Sequence, residues 1–422
     1  MINYFKKIIK HDLVKKGSIL FLGSNIANFL SFVFNLILVR QLTISNYGIY
    51  SSLISFISLF AMPSSIISTV IIRFSTEFFA QKNMKAVVKM YKDSLKFVSL
   101  FSLILFFVLS ILSFYISGFL KIDDILIIIF SIAVISFSYI YTVYGAFLQS
   151  FLKFEFLSVV SVLSTGFKIV LVLLFLYFGL SLRGVFGAIL LATVLPIILV
   201  NFNLFFLFDK KNNSSEKHFS YRKMLNYALP SGLALFFVSS FITSDILLVK
   251  HFLTPIEAGK YASIALMGRV IFYFSSPFIA VSLPYFIKKN AMNEKSENNL
   301  ILPIVIVTAA SLAFSLFYLI FPGFASRILL GKDIGHLYYF SIFLYGFFMS
   351  IYSVLMLVVN FFLSKHGSII YKPIILFALI QIWGIIFFHK SFEEIISISI
   401  FSSFALLILL LKILRKDSIG DL

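Results

Sequence analysis

Apolar residues fall in twelve long runs, near 18–39, 48–72, 97–119, 125–147, 157–179, 184–207, 225–249, 258–284, 300–321, 336–361, 373–388 and 393–411, separated by polar turns. Most run to about 20 residues, the length at which a helix crosses the hydrocarbon of a bilayer. Helices are predicted because a helix satisfies its own backbone in lipid. The alternating ten-residue segments of a membrane β-barrel are absent from the sequence.

The pattern is written twice. Residues 35–50 read NLILVRQLTISNYGIY and residues 245–261 read DILLVKHFLTPIEAGKY. Arg40 answers to Lys250, Leu42–Thr43 to Leu253–Thr254, Gly48 to Gly259 and Tyr50 to Tyr261. With nearly the same offset, FSI at 130–132 matches FSI at 340–342, and QSFLKFEF at 149–156 meets NFFLSKHG at 360–367. Gly48 and Gly259 are expected to serve a turn or a close helix approach. Helices 1–6 and 7–12 therefore form two copies of one six-helix unit. An even number of spans gives both copies the same orientation, so the repeat is parallel, about an axis along the membrane normal. The predicted fold is an all-α integral membrane protein of about 12 transmembrane helices in two six-helix lobes. The N-terminal lobe spans 1–208, a polar linker 209–224 and the C-terminal lobe 225–422. Transporters working by alternating access have such repeats, with substrate near the midplane between the lobes.

Composition sharpens this. Sixty per cent of the 422 residues are apolar and 12% charged, against roughly a quarter charged in soluble domains. The net charge of +18 is a topology signal rather than a nucleic-acid footprint. With the N-terminus in the cytoplasm, 25 of the 35 Lys and Arg fall on inside segments and 8 on outside turns, as the positive-inside rule requires. Both termini are then cytoplasmic. The start, MINYFKKIIKHDLVKKG, is basic and amphipathic and reads as a retained surface helix. Lys82, Lys85, Lys89, Lys92 and Lys96 step by three and four, which predicts an interfacial helix on the inner leaflet. With no cysteine, disulfides and thiolate chemistry are excluded. The six histidines show no metal-ligand spacing, and no P-loop, dinucleotide motif or nucleophile elbow appears. No metal, cofactor or enzymatic activity is expected. Asp123–Asp124 is expected to cap a helix.

Polar residues within the spans are the candidate chemistry. Ser24, Asn28, Ser31 and Asn35 step by 4, 3 and 4 along helix 1, and Ser51, Ser55, Ser58, Ser65 and Thr69 hold one face of helix 2. Such stripes line a hydrated cavity that bonds sugar hydroxyls, or pack helix against helix. Lys168 and Arg269 lie near the middle of spans 5 and 8, one per lobe. A centred cation costs roughly 2.5–3.5 kcal/mol on insertion scales and faces a bundle interior or a wet cavity. Together the two could clamp a diphosphate or an acidic sugar, or each could snorkel. Asp245, the repeat partner of Asn35, is a candidate for proton or sodium coupling. Its alternative is an ion pair with an outer-face cation such as Lys250. Arg40, Lys250 and Arg73 are read as anchors or gates at span ends.

RQLTISNYGIY and its repeat, QSFLKF after span 4 and GLSLRGVFGAILLA across helices 5 and 6 resemble the polysaccharide-biosynthesis flippases. That is the Wzx or O-antigen transporter family of the MATE-like superfamily. The resemblance covers essentially the whole chain. It implies a two-lobe protein that moves undecaprenyl-diphosphate-linked oligosaccharide, for O-antigen, lipopolysaccharide or capsule, from the inner to the outer leaflet. Lipid II flippases of that superfamily usually have two additional helices, which this chain lacks. A cavity between lobes of one chain implies a monomer in the bilayer, with association with polymerase and chain-length machinery left open. An ion-coupled multidrug exporter of the same superfamily is the alternative. It is disfavoured by basic midplane charges, since organic cations call for carboxylates. A membrane polysaccharide polymerase is disfavoured by the short outside turns.

The orientation has a direct test in a chain without native cysteine. In intact cells, Ser214→Cys should resist an impermeant maleimide until the membrane is opened, whereas Asp123→Cys should label at once. The reverse pattern would invert the topology.

Overall fold

A computed structural model describes residues 12–81, 83–204, 221–291, 298–331, 333, 335–364 and 370–420. All regular structure among them is helical. The helices are α1 Asp12–Gln41, α2 Ile44–Ala61, α3 Ser64–Ala80, α4 Met84–Ile111, α5 Ser113–Leu120, α6 Ile125–Ser150, α7 Phe154–Tyr177 and α8 Ser181–Leu204. They continue with α9 Tyr221–Ser240, α10 Ser244–Phe252, α11 Pro255–Ala291, α12 Asn298–Ile320, α13 Pro322–Leu330, α14 Gly335–Ser364, α15 Tyr371–Phe387 and α16 Phe392–Gly420. Among the described residues nine helical spans are long and apolar enough to cross a membrane, α2 and α3 together making one of them (Ile44–Phe79), and a tenth span is the pair α9–α10, bent by 44°. The 17-residue α15 and the 37-residue α11 fall on the two remaining predicted spans. About twelve spans result. The basic N-terminal stretch 1–11 and most of the expected linker lie outside the described residues.

The chain divides into two compact units, one of residues 1–35 and 60–229, the other of 36–59 and 230–422. The expected lobes differ by one segment: residues 36–59, assigned by sequence order to the N-terminal lobe, pack with the second unit. The cause lies in the repeated motif. A Cβ on Gly48 would lie 2.8 Å from the amide nitrogen of Gly259, and one on Gly259 would lie 1.9 Å from the Ile44 carbonyl oxygen. The two equivalent glycines therefore let the two copies of the motif touch backbone to backbone. Each copy opens its helix with the same threonine. Thr43 accepts from the Asn46 amide at 3.2 Å. Thr254 accepts from the Glu257 amide at 3.3 Å while the Glu257 carboxylate takes the Thr254 amide and hydroxyl at 3.0 and 2.7 Å. This is a reciprocal capping box, and its two bonds hold the Glu257 carboxyl below its ordinary pKa.

Within the first unit α6 is the hub, packing on α3, α4 and α8. Its repeat counterpart α14 is the hub of the second, packing on α11, α12 and α16. The basic stretch after span 2 is not a separate interfacial helix. Asn83 caps α4 through the Ala86 amide at 3.1 Å, and no Gly or Pro interrupts the helix as far as Ile111. Val87, Val88 and Tyr91 are buried, the Tyr91 ring meeting Phe147 of α6 edge-on at 5.0 Å. Lys85, Lys89, Lys92 and Lys96 are exposed along one face of this same helix. Asp124 caps α6 as expected, accepting from Leu126 at 3.2 Å, and also pairs with Arg183 at 2.6 Å.

The glycine contact sets opposite expectations for similar substitutions. Gly259→Val should lower the melting temperature of the purified protein, since overpacking costs about 1–3 kcal/mol or more. Gly118→Ala, with nothing within 4 Å of the added carbon, should be neutral or stabilising by up to about 1 kcal/mol.

Candidate functional site

Two polar regions stand out, one in each unit. In the second, the break between α9 and α10 leaves carbonyls without intrahelical donors. Arg269 of α11 donates to the Ile242 carbonyl, and Gln381 of α15 donates to the Phe241 carbonyl at 2.9 Å and to Ser399 at 2.8 Å. Just past the break Asp245 is fully buried. Its carboxylate accepts from Tyr261 at 3.0 Å, Tyr345 at 2.8 Å and the Ile246 amide at 2.8 Å. Arg269 lies close enough to act electrostatically on Asp245, Tyr345 and Tyr47. Asp245 is therefore held by two phenols and a backbone amide, with Arg269 acting on it only through space, and not by the expected Lys250, whose side chain is itself buried. Arg269 and Asp245, proposed for separate roles, belong to one network. Tyr345 and Gln381 were missed because a single Tyr or Gln in an apolar run carries no periodic signal.

In the first unit a cavity of about 480 Å³ lies among α1, α3, α6 and α7. Ser24, Ser64, Ser65, Ser68, Thr69, Tyr141, Thr142, Gln149 and Ser161 supply its polar wall. None of the residues lining it is charged. Thr142 donates to Ser64 at 3.2 Å, joining α6 to α3. The Ser65 hydroxyl is buried with no hydrogen-bond partner.

Helix 2 is one span, Ile44–Phe79, locally interrupted at Met62–Pro63, where proline offers no amide, and its stripe is divided because residues 36–59 belong to the second unit and those from 60 on to the first. Ser51 and Ser55 lie before the break, buried in the second unit. Ser58 turns back onto the Ile54 carbonyl at 2.8 Å. Ser65 and Thr69 lie after it and line the cavity. On α1 only Ser24 lines the cavity; Asn28 is exposed, and Asn35 bonds the Ser31 carbonyl of its own helix at 2.8 Å. Tyr141, Thr142, Gln149 and Ser161 were missed, since only the fold brings α6 and α7 to this wall.

Lys168 of α7 sits with its ammonium 4.4 Å from the centre of the Phe34 ring. Among the described residues it has no hydrogen-bond or ion-pair partner. Arg40 donates to the Ile328 carbonyl and packs on Gly331. Arg73 is exposed, with its guanidinium 5.8 Å from the Phe74 ring. Among the described residues no group of three His, Asp or Glu could hold a metal ion.

Residues 13–290 match a family described as polysaccharide biosynthesis protein. A multidrug resistance MATE family transporter of the MOP superfamily, in an inward-facing conformation, is similar in structure over 94% of this chain and 96% of its own, at 15% identity and a TM-score of 0.74. Lipid II flippase MurJ, in an inward closed conformation, is similar over 93% of this chain and 87% of its own, at 12% identity and a TM-score of 0.70. At such identities these likenesses establish the fold alone. No curated protein matches the chain.

The Asp245 network makes a stability prediction. Arg269→Gln should destabilise the protein by leaving a buried carboxylate with less compensation. Adding Asp245→Asn should restore part of the loss, with a coupling of about 0.5–3 kcal/mol. Melting curves of the two single variants and the double variant measure it; strict additivity would separate the two residues.

Proposed function

The chain belongs to the polysaccharide biosynthesis protein family, and from that premise we propose that it is a flippase for lipid-linked oligosaccharide. The substrate is an undecaprenyl-diphosphate-linked repeat unit of O-antigen or capsule type, carried to the outer leaflet of the cytoplasmic membrane by alternating access. The family match carries this reading. The cavity wall of hydroxyls and an amide supports it, because sugars present the same groups in return. Lys168 meets the diphosphate or an acidic sugar: it is a cation at span depth with only an aromatic ring beside it. Arg269 is the second cation of this reading, and its buried Nε has no partner. Ser24 and Asn28 of α1 contribute polar contacts, with both termini in the cytoplasm.

Asp245 is the coupling candidate, and its surroundings favour a proton over sodium. Its contacts are hydroxyl and amide donors and a guanidinium, whereas a metal ion needs several oxygen acceptors. Protonation would release two phenols and weaken the hold on Arg269, giving the break between α9 and α10 two states.

A multidrug exporter is the second reading, favoured by the fold shared with MATE transporters. A cationic drug needs a free carboxylate, and the cavity wall contains none.

Deletion of the gene separates these readings. A flippase deletion should accumulate a complete, unpolymerised oligosaccharide on its diphosphate lipid in the inner leaflet, with loss of surface polysaccharide. Accumulation in the outer leaflet would point to a polymerase. Unchanged lipid-linked sugars with greater sensitivity to cationic dyes would replace the flippase by the exporter.

A further inference from the structure

We propose that the cavity of the first unit is a binding site for uncharged sugar residues, with Gln149 as a specificity-determining contact. This rests on the flippase reading only for the identity of the glycan. Four observations carry it.

The lining has no charge. An anion such as the diphosphate would be stripped of water there without a counter-ion, and so would a cationic drug. A polyprenyl tail would leave the hydroxyls facing hydrocarbon. A neutral ligand rich in hydroxyls meets none of these costs.

The wall also holds unspent hydrogen-bonding capacity. The buried Ser65 hydroxyl has no partner, and the Gln149 side chain makes no hydrogen bond among the described residues. Buried polar groups are nearly always paired, so an orphan on a cavity wall marks a place for a ligand or water. An amide offers both donors and an acceptor, as does a pair of adjacent sugar hydroxyls.

Thirdly, the two copies of the repeat have diverged at this position. The residue answering to Gln149 is Asn360. Asn360 uses its amide to tie α14 to α11, donating to the Ile279 carbonyl at 3.1 Å and to Ser282 at 3.3 Å. In the QSFLKFEF/NFFLSKHG match the first copy leaves this amide unbonded beside a cavity. The fold does not need this side chain unbonded; only the first copy keeps it so.

Finally, Tyr141 lines the cavity with an aromatic face and a hydroxyl. Such an amphipathic ring can take the C–H face of a pyranose while its polar end stays bonded. At about 480 Å³ the cavity lies in the range of pockets that hold small organic ligands.

The test uses the full chain in detergent with one introduced cysteine, Ser68→Cys, and measures its rate of maleimide labelling. Ser24→Cys is the second reporter should the first fail to fold, and Ser181→Cys, away from the cavity, is the control. The probes are isoprenoid-diphosphate oligosaccharide extracted from cells, and the same extract after mild acid, separated into free oligosaccharide and bare lipid. The expected result is that the intact material and the free sugar slow labelling at the cavity but not at Ser181→Cys. Gln149→Leu should raise the sugar concentration needed by about tenfold. Protection by bare lipid alone, or by no fraction, would overturn the proposal, as would protection unchanged by Gln149→Leu. Failure of the flippase reading is separable. Normal lipid-linked sugars in the deletion strain, together with protection by free sugar, would retain the site and remove the transport role.

Discussion

In hydrocarbon no water is available to the backbone, so every peptide group must find a partner within the protein. That requirement governs where this chain can interrupt its helices. At three interruptions a neighbouring side chain serves the freed carbonyls. At the break after α2, Tyr139 of α6 donates to the Phe60 carbonyl at 2.9 Å. At the break after α9, Arg269 and Gln381 serve Ile242 and Phe241. In α8, Pro196 removes the amide that would have bonded Ala192, and Ser164 of α7 donates to the Ala192 carbonyl at 2.7 Å. An unsatisfied group at such depth costs several kcal/mol. The polar residues scattered through the spans are thus first a structural necessity, and function has to be sought among those left over.

That subtraction treats the two units differently. In the second unit Asp245 is committed to two tyrosines, Asn360 to α11 and the Gln381 nitrogen to the break and to Ser399, while the Ser55 hydroxyl, the Arg269 Nε and the Gln381 Oε1 are left over. In the first, Gln149 and Ser65 remain uncommitted beside a cavity. The two copies descend from one pattern, as Gly48 and Gly259 still show by touching.

How much of this was readable in the sequence follows from the range of each interaction. Span positions and caps depend on neighbours within a turn or two, so helices appear on all twelve predicted runs and Thr43, Thr254 and Asp124 cap as local rules require. The repeat was readable because both copies still need a glycine where their backbones meet. Helix breaks were not: Pro63 is visible, but proline kinks as often as it breaks a membrane helix, and neighbouring side chains decide which. The boundary between the two units at 59–60, just before the Met62–Pro63 interruption, divides the Ser51–Thr69 stripe between two environments. The basic stretch at 82–96 has an amphipathic period that fits equally well a helix on a membrane surface and one packed on α6; the buried Tyr91 settles it. Tyr345, Gln381 and Tyr141 act through partners up to 140 positions away, which no local window contains.

The two cations at span depth illustrate how magnitude separates structural from functional charge. Arg269 has a carbonyl to bond and Asp245 within electrostatic reach, so the protein itself compensates part of its charge and leaves the Nε unpaired. Lys168 has only the Phe34 ring. A cation–π contact gives about 0.5–2 kcal/mol, against roughly 2.5–3.5 kcal/mol for a lysine at the centre of a span. The half-buried side chain can meet the remainder from water, by snorkelling toward an interface, or from an anion. Lys168 lies seven residues beyond Ser161 on α7, two helical turns along the same face as a residue of the cavity wall. A neutral hydroxyl-lined wall and, two turns along the same helix, an uncompensated cation match the order of groups in a lipid-linked glycan, where uncharged sugars are followed by a diphosphate. On that reading the positive charge is tolerated because the substrate completes its compensation, and Lys168→Met would stabilise the empty protein while weakening its hold on the diphosphate.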